Sequence, residues 1–355
     1  MKKSIGQRTA FTLFLLALIA FGSGGQTIRR CNNNLGITGV NMYTTIQAAH
    51  DASTAGDIIY VEPSITSYGN LTITKQISII GTGFLQEKNS NVSFDNRTTQ
   101  IGNLICNKGS ANSSVAGLYI VGSYVLINCN NIAISRCRIG SPISFGSDGS
   151  PVVYGSYATI TRCLITSDIY GQSSTPAGDN CTIANNIFVG SPTQAVITQL
   201  NNCSFVYNTF MSIGYGQFGG QLQGFVGCVV SNNVFDWRNY TYGASPISGD
   251  VGTSYANNVS IGISGLPTGN GNINGASATN FYTNSDPIAN YGSLGDTVFQ
   301  LGTGAVGGSV GAFSGVSPYI LSGLPPIPII TNLTTSGVGN SSTPLNVSVT
   351  VRGNN

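Results

Sequence analysis

The sequence predicts an all-β fold, a solenoid of stacked parallel strands, and three observations lead to this prediction. Only 7% of the 355 residues are charged, against about 25% in an average globular protein. The chain holds 47 glycines together with many Asn, Ser, Thr, Val and Ile, which favours short strands joined by tight turns. A short apolar motif also recurs, starting at residues 134, 160, 183, 205, 230 and 255.

The composition excludes several classes of protein. A formal net charge of +2 provides no basic footprint for a nucleic acid, so we expect no nucleic-acid partner. Coiled coils need many more charged residues than this chain has. Intrinsic disorder is also excluded, because 41% of the residues are apolar and suffice to bury a core.

The first 25 residues have the pattern of a secretory signal peptide. Lys2, Lys3 and Arg8 are positive, and the apolar run from Phe11 to Phe21 is shorter than the roughly 20 residues that span a bilayer. Small residues follow, which predicts cleavage near Gly25. We therefore expect a secreted or cell-surface protein whose mature chain does not insert into the membrane, with a membrane anchor as the alternative.

The repeated motif has an apolar residue, a polar pair and further apolar residues. Its copies span residues 134–139, 160–165, 183–188, 205–210 and 230–235, with a weaker copy at 255–259. Two short strands with a sharp bend between them fit this pattern better than a helix. Variable spacing around a constant motif predicts loop insertions around coils that stack at about 4.8 Å.

Two columns of residues should run along the stack. The fourth motif position is occupied by Cys137, Cys163, Asn186, Asn208, Asn233 and Asn258. We expect its asparagines to adopt left-handed backbone at the bend and to hydrogen-bond the equivalent amide one coil away. The second column contains Cys181, Cys203 and Cys228, which we interpret as small buried residues, so most of the eight cysteines should be free. The pairs Cys137 with Cys163 and Cys181 with Cys203 are the alternatives for disulfides.

An amphipathic helix should close the N-terminal end of the solenoid. Residues 43–52 place Ile46, Ala49 and His50 on one helical face. We predict a signal peptide over 1–25, an N-terminal segment with the cap helix over 26–55 and the β-helix over 56–316. A proline-rich boundary and a C-terminal β segment would occupy 317–355. That last segment either covers the final coil or attaches to a partner.

Three segments near the start resemble a known family. Residues 45–50, 55–61 and 75–83 are similar to the opening of pectin-lyase-like right-handed parallel β-helix proteins. Segment 304–313 is similar to the closing coil of such proteins, with Ser309 where the acid would stand. The whole chain also resembles a group of exported β-helix proteins from Bacteroidetes-type bacteria. The resemblance implies a right-handed parallel β-helix over about residues 40–315, but no single activity, because the fold serves lyases, hydrolases, adhesins and spikes.

Enzymes of that family use clustered aspartates, or calcium held by several carboxylates, with Arg, Lys or His beside them. This chain has one histidine and lacks an Asp-Asp pair, so we predict no catalytic residue, no metal site and no cofactor. The alternative, a polysaccharide lyase or glycoside hydrolase, requires Asp148, Asp168, Asp236 and an arginine to converge within about 5–6 Å.

Three other polar features are interpreted as structural. His50 should pack at the end of the cap helix, and Asp57 should stabilise a turn. Arg136 and Arg162 share one motif position and should lie on a solvated edge, with a shared anion as the alternative.

Aromatic residues after the motif suggest a glycan-binding surface, because sugar faces stack on aromatic rings. The candidate binding residues are Asp148, Asp168, Tyr170, Tyr215, Phe218, Asp236, Trp237, Arg238, Tyr240 and Tyr242. The alternative is that these aromatics only cover the coils. The predicted function is an exported, non-catalytic β-helix protein that binds a polysaccharide or has a structural or adhesive role at the cell surface, where a surface protein is a possible partner.

Overall fold

The computed structural model describes residues 25–89, 95–172, 174–190, 196–212, 221–238, 245–283, 287–303, 305, 309–335, 337, 339, 342 and 344–353. The predicted signal peptide lies outside these residues except for Gly25. None of the helices within them is both long and apolar enough to cross a membrane.

Three long parallel sheets form the solenoid, and in each repeat the chain passes from sheet 1 to sheet 3 and then to sheet 2. Sheet 1 contains, in spatial order, Met42–Tyr43, Ile28–Cys31, Ile58–Val61, Ser78–Ile80, Ser114–Ala116, Ala133–Ser135, Thr159–Thr161, Thr182–Ala184, Ser204–Val206, Val229–Ser231 and Ser254–Ala256. Sheet 2 contains Leu71–Ile73, Leu104–Cys106, Val125–Ile127, Ile143–Phe145, Ile169–Tyr170, Val196–Thr198, Gln221–Gln223 and Ile247–Ser248. Sheet 3 contains Gln100–Ile101, Tyr119–Ile120, Arg138–Ile139, Leu164–Ile165, Ile187–Gly190, Thr209–Ser212, Val234–Asp236, Val259–Ile261 and Ile273–Ala276. This arrangement confirms the predicted all-β parallel β-helix.

The other elements lie outside the coils. Two antiparallel hairpins pair Ser147–Asp148 with Val153–Tyr154 and Ile329–Thr335 with Val347–Arg352. Helix α1 is Ile46–Ala52 and helix α2 is Pro287–Leu294. Short 3-10 helices span Gln86–Lys88, Ala278–Asn280, Gly295–Phe299 and Leu321–Gly323.

The six motif copies stack in the predicted register. Their first residues are direct partners along sheet 1, in the order Ile134, Ile160, Ile183, Phe205, Val230 and Tyr255. The bend after each of these strands lies at the third motif position, where φ is 53° at Arg136, 56° at Asn185 and 58° at Asn232. The expectation that the fourth position is left-handed was therefore wrong. The third residue makes the turn, and this turn directs the fourth side chain into the coil.

The fourth-position asparagines form a continuous buried ladder. The Nδ2 atom of Asn186 donates to Oδ1 of Asn208 over 3.1 Å, and Asn208 and Asn233 repeat this bond one coil further on over 3.0 Å each. Each Oδ1 also accepts a backbone N–H, as from Asn186 to Asn208 over 2.9 Å. Each Nδ2 also donates to a carbonyl of the preceding coil, as from Asn208 to Ile183 over 2.9 Å. The ladder satisfies polar groups that would otherwise be buried without partners.

The coil interior is filled by apolar side chains and thiols. All eight cysteines are free and buried, as the column positions indicated. The backbone N–H of Cys181 points to the sulfur of Cys203 at 3.2 Å, and that of Cys203 points to the sulfur of Cys228 at 3.3 Å. The rings of Phe188, Phe210 and Phe235 stack at 4.5 and 4.7 Å between centroids. The core is thus built from columns that continue from coil to coil.

Helix α1 caps the N-terminal end, as predicted. The Thr45 hydroxyl accepts from the Ala48 N–H over 3.2 Å, and Ile46, Ala49 and His50 are buried. At the other end of the helix, the Lys75 ammonium donates to the carbonyls of His50 and Ser53 over 3.1 and 2.9 Å. A cation at this position balances the partial negative charge of the helix C-terminus.

The described residues of the C-terminal part do not continue the solenoid. The last strand of the three sheets ends at Ala276, well before residue 316. Gly311 N–H donates to the Asn232 carbonyl over 2.8 Å, Asn185 Nδ2 to Ser314 over 2.7 Å, and Arg136 Nη1 to Leu324 over 2.7 Å. Because these partners lie in successively earlier coils, the chain runs back towards the N-terminal end; we call the described residues of 278–328 the return segment.

The return segment covers the outer face of sheet 3. Leu164, Ile187, Val189, Met211 and Val234 point outward from sheet 3, and they are buried against Phe281, Val298, Phe299, Val310 and Tyr319. This apolar layer is separate from the cluster inside the coils. The expectation of a closing coil at 304–313 was therefore wrong. Its described apolar residues Val310 and Ala312 pack on the outside of sheet 3, because that face is apolar and needs a cover.

Candidate functional site

The three candidate carboxylates lie in different environments and do not gather. Asp148 follows a strand of sheet 2 in the short hairpin, where its Oδ2 accepts the Lys108 N–H over 2.9 Å. Asp168 precedes the next strand of sheet 2, and Asp236 lies on the outer face of sheet 3 beneath Tyr282. Within the described part of the chain, no three His, Cys, Asp or Glu residues are arranged to hold a metal ion. The convergence that the enzyme alternative requires is not present among these residues.

Asp236 and Arg238 form a covered ion pair rather than a groove. The Arg238 guanidinium donates to Asp236 from Nε over 2.8 Å and from Nη2 over 2.7 Å, and the Tyr282 hydroxyl donates to the same carboxylate over 3.1 Å. Asp236 is buried because the return segment lies over it. This geometry anchors the cover to sheet 3 and leaves the carboxylate no access to a ligand.

Trp237 belongs to the core, so the prediction that it lies on the glycan-binding surface was wrong. Its side chain is 0% exposed and stacks on Phe235 with centroids 4.9 Å apart. The sequence carries the signal for this placement, because side chains alternate along a strand. With Val234 and Asp236 outside, Phe235 and Trp237 must share the inner side. Four other aromatic candidates for the glycan-binding surface lie outside the described residues: Tyr215, Phe218, Tyr240 and Tyr242.

Tyr170 is the candidate aromatic that the structure leaves on the surface. It lies in the strand Ile169–Tyr170, where Ile169 points into the core and Tyr170 is 38% exposed on the outer face of sheet 2. Its hydroxyl donates to Oδ2 of Asp168 over 2.6 Å. Burial, together with the hydrogen bond to and the charge of Asp168, raises the pKa of Tyr170 to about 12. The phenol therefore stays protonated near neutral pH, and Asp168 holds the ring in one orientation.

Tyr170 stands in a column of outward side chains, one from each coil. From the N-terminal end the column contains Thr72, Ile105, Leu126, Ser144, Tyr170, Thr198, Gln223 and Ser248. Ser144 and Thr198 are the direct neighbours of Tyr170 on either side, at the spacing of about 4.8 Å between strands. Sequence analysis missed both residues, although strand alternation around Ile143 and Ile197 would have placed them outside. An aromatic ring flanked by hydroxyls is an arrangement that suits a sugar ring.

His50 and Asp57 have structural contacts. The His50 Nε2 atom accepts the Thr74 N–H over 3.2 Å, and Nδ1 lies 3.0 Å from Oδ1 of Asp51. Burial lowers the pKa of His50, so its imidazole is neutral near pH 7 and joins the cap helix to the first coils. Asp57 accepts the N–H groups of Thr27 and Thr54 over 2.9 Å each, which fixes the turn before a strand of sheet 1.

Arg136 does not lie on a solvated edge, so that expectation was wrong. It is 5% exposed, because the return segment crosses over it and accepts its Nη1–H at Leu324. Burial, and next the charge of Arg162, lower the pKa of Arg136. Two cations thus lie close together where the chain turns from sheet 1 into sheet 3.

Comparison of the chain with protein-family models, with curated proteins and with solved structures finds no match.

Proposed function

We propose that this is an exported, non-catalytic β-helix protein of the pectin-lyase-like type that binds a glycan along the outer face of sheet 2. It would act at the cell surface or outside the cell, in a structural or adhesive role. Export rests on the signal-peptide pattern of residues 1–25, and the family on segments 45–50, 55–61 and 75–83. The binding role rests on the geometry around Tyr170.

One observation carries the proposal: an exposed tyrosine ring, fixed by a carboxylate, stands between two hydroxyls on an open sheet face. Asp168 holds the Tyr170 hydroxyl at 2.6 Å, so little side-chain entropy is lost when a sugar stacks on the ring. The hydroxyls of Ser144 and Thr198 lie on either side of the ring and can form hydrogen bonds with sugar hydroxyls. Because the column continues over all eight strands of sheet 2, a linear glycan can extend along the solenoid axis.

The outer faces of sheets 2 and 3 differ in their access to a ligand. The outer face of sheet 3 is occupied by the chain's own return segment, whereas Tyr170 on sheet 2 is exposed. The column on sheet 2 carries no charged side chain, so recognition there depends on stacking and neutral hydrogen bonds. Neutral polysaccharides suit such a surface.

The test is a glycan array on the exported form of the protein, followed by titration of the best ligand against Tyr170→Ala. We expect this substitution to weaken binding by about 1–3 kcal/mol, the range for an aromatic anchor in an interface. The matched control is Tyr157→Ala. Tyr157 is also exposed, at 57%, but it lies at the turn that enters sheet 1 and should not affect binding.

Two results would contradict the proposal. Equal losses in Tyr157→Ala and Tyr170→Ala would show that the sheet 2 column is not the site. Release of reducing sugars or unsaturated uronates by the protein would establish the lyase or hydrolase alternative instead. The melting temperature of Tyr157→Ala should equal that of the unmodified protein, since its ring is exposed. Tyr170→Ala also removes the hydrogen bond to the buried Asp168 carboxylate, so a small drop in its melting temperature is expected.

A further inference from the structure

The described arginines differ in their partners, and Arg136, for example, donates to the Leu324 carbonyl. Arg29, Arg30, Arg97 and Arg238 each have a carboxylate within 4 Å. Arg138 and Arg162 have no ion pair and no side-chain hydrogen bond among the described residues. In a chain with so few charges, two partly covered cations without an acid call for a physical explanation.

Arg138 and Arg162 are brought together by the register of neighbouring coils. Arg138 is the direct partner of Leu164 in sheet 3, and Arg162 lies two residues before Leu164. Arg162 makes the left-handed bend between sheets 1 and 3, with φ of 56°, and the bend displays its side chain at this corner of the solenoid. The two arginines are therefore diagonal neighbours on adjacent coils.

Both guanidinium groups hold a buried donor without an acceptor. The Nε atom of Arg138 and that of Arg162 are inaccessible to solvent, and neither has a hydrogen-bond partner. An unsatisfied buried N–H of a charged group is costly, and such groups in native proteins are normally completed by water or an ion. The hydroxyl of Tyr291, from helix α2, is a third donor buried without a partner.

The Arg138 side chain is also held in place for recognition. Its Cζ atom lies over the Tyr119 ring, 4.4 Å from the ring centre, and this cation–π contact holds the guanidinium without using its N–H donors. Tyr291 lies close to both Arg138 and Asp296, because the charge of Arg138 opposes, and that of Asp296 adds to, the rise in the pKa of Tyr291 that burial causes. An edge of in-plane N–H groups is the geometry that binds two oxygens of one anion.

We propose that Arg138 and Arg162 form a binding site for an oxyanion at the corner between sheets 1 and 3. The ligand is a sulfate, phosphate or carboxylate group, with Tyr291 as an additional donor. The site is distinct from the proposed glycan surface, because Tyr170 lies on sheet 2. Either proposal can therefore be wrong while the other holds. Its ligand is either a free ion or an acidic group carried on a sugar.

The test measures binding of inorganic sulfate and phosphate by calorimetry and by the melting temperature, against chloride at equal ionic strength. We expect sulfate or phosphate to raise the melting temperature, and Arg162→Gln and Arg138→Gln each to weaken binding by about tenfold or more. Arg352→Gln is the matched control, since Arg352 is exposed at the end of the C-terminal hairpin. Tyr170→Ala should bind the anions as the unmodified protein does.

Parallel titrations with glucuronate and with a sulfated monosaccharide identify the source of the anion. Tighter binding of these sugars than of the inorganic ions would identify the ligand as an acidic glycan. Tighter binding of the inorganic ions would identify it as a free ion. The proposal is overturned if none of the anions binds, or if Arg162→Gln binds them as well as Arg352→Gln does. Should Arg162→Gln not fold, Arg162→Lys keeps the charge without the paired donors, and unchanged binding by that variant would also overturn it.

Discussion

Sheets 1 and 3 are built from the same repeated motif, yet sheet 1 has an accessible outer face and the strands of sheet 3 from Leu164 to Ile261 are covered on both sides. In sheet 1 the strand Thr159–Thr161 buries only its central isoleucine, and its outer threonines remain accessible. In sheet 3 the strand Ile187–Gly190 is buried at every position. The return segment makes the difference, because it lies over sheet 3 and leaves sheet 1 uncovered.

The comparison shows how the chain divides stability and recognition between its faces. Apolar area removed from water stabilises by about 25 cal/mol per Å², so a second apolar layer on sheet 3 adds to the core inside the coils. Polar anchors fix that layer in one place, such as Asp296, which accepts from Asn89, Tyr319 and Ser322 over 2.7–2.9 Å. Sheets 1 and 2 keep the accessible outer residues with which a partner can interact.

The largest expected effect comes from charging the covered face. Val234 on sheet 3 is 0% exposed, whereas Val229 on sheet 1 of the same coil is 47% exposed. We expect Val234→Asp to lower the free energy of unfolding by about 3–5 kcal/mol, because it buries a carboxylate that has no cation to pair with. Val229→Asp should change it by no more than about 0.5 kcal/mol. Chemical denaturation of the two variants measures both, and similar losses would show that sheet 3 is not covered.

Breaking the Asn ladder should have the next largest effect. The ladder lies inside the coils, so this variant tests the interior that the sheets have in common. Asn208→Leu removes four side-chain hydrogen bonds, two with Asn186 and one each with Ile183 and Asn233, which should cost about 2–4 kcal/mol at about 0.5–1 kcal/mol per bond. Asn332→Leu on the exposed C-terminal hairpin is the control and should have little effect. If the melting curve of Asn208→Leu overlays that of the unmodified protein, Asn208 does not contribute to a buried hydrogen-bond ladder.

The smallest effect is a pH dependence that arises under the cover of sheet 3. Burial raises the pKa of Asp296 above its ordinary value near 4, despite the opposing hydrogen bonds from Asn89, Ser322 and Tyr319. The folded state then holds a proton that the unfolded state has lost, so this contribution to stability is complete below about pH 4. It is lost as the pH rises through the raised pKa.

Asp296→Asn should remove this loss of stability with rising pH. The measurement is the difference between the unfolding free energies of the unmodified protein and of the variant across pH 4–7. The contribution of His50, whose lowered pKa acts in the opposite direction, cancels in that difference. Two parallel curves would show that Asp296 does not titrate under the cover.

Periodicity was sufficient to predict the coils, the register and the columns. The pairing of Ile134, Ile160 and Ile183 follows from local spacing, because parallel stacking places equivalent residues of successive coils side by side. The outer face of sheet 2, with Ser144 and Thr198 beside Tyr170, was equally accessible to strand alternation, although only Tyr170 was selected from the sequence. Local pattern is a reliable guide wherever each coil contacts only its neighbours.

The path of the return segment had no such local signal. Val310 and Ala312 look like residues of another coil, and only contacts with Asn232, Asn185 and Thr209, about 75 to 130 residues earlier, place them on the outside. The same long-range cover buries Arg136 and Asp236, which the sequence alone would leave at the surface.

The amino-acid sequence by itself thus determined the all-β solenoid, the cap helix α1 and the inward columns of Asn and Cys, because all of these depend on a short repeat and on neighbouring coils. The tertiary structure decided which outer faces stay open, that the return segment buries Arg136 and Asp236, and that Arg138 and Arg162 are left without a carboxylate partner. The physical reason is that burial of an outer face depends on distant parts of the chain. Contacts of that range leave no period in the sequence.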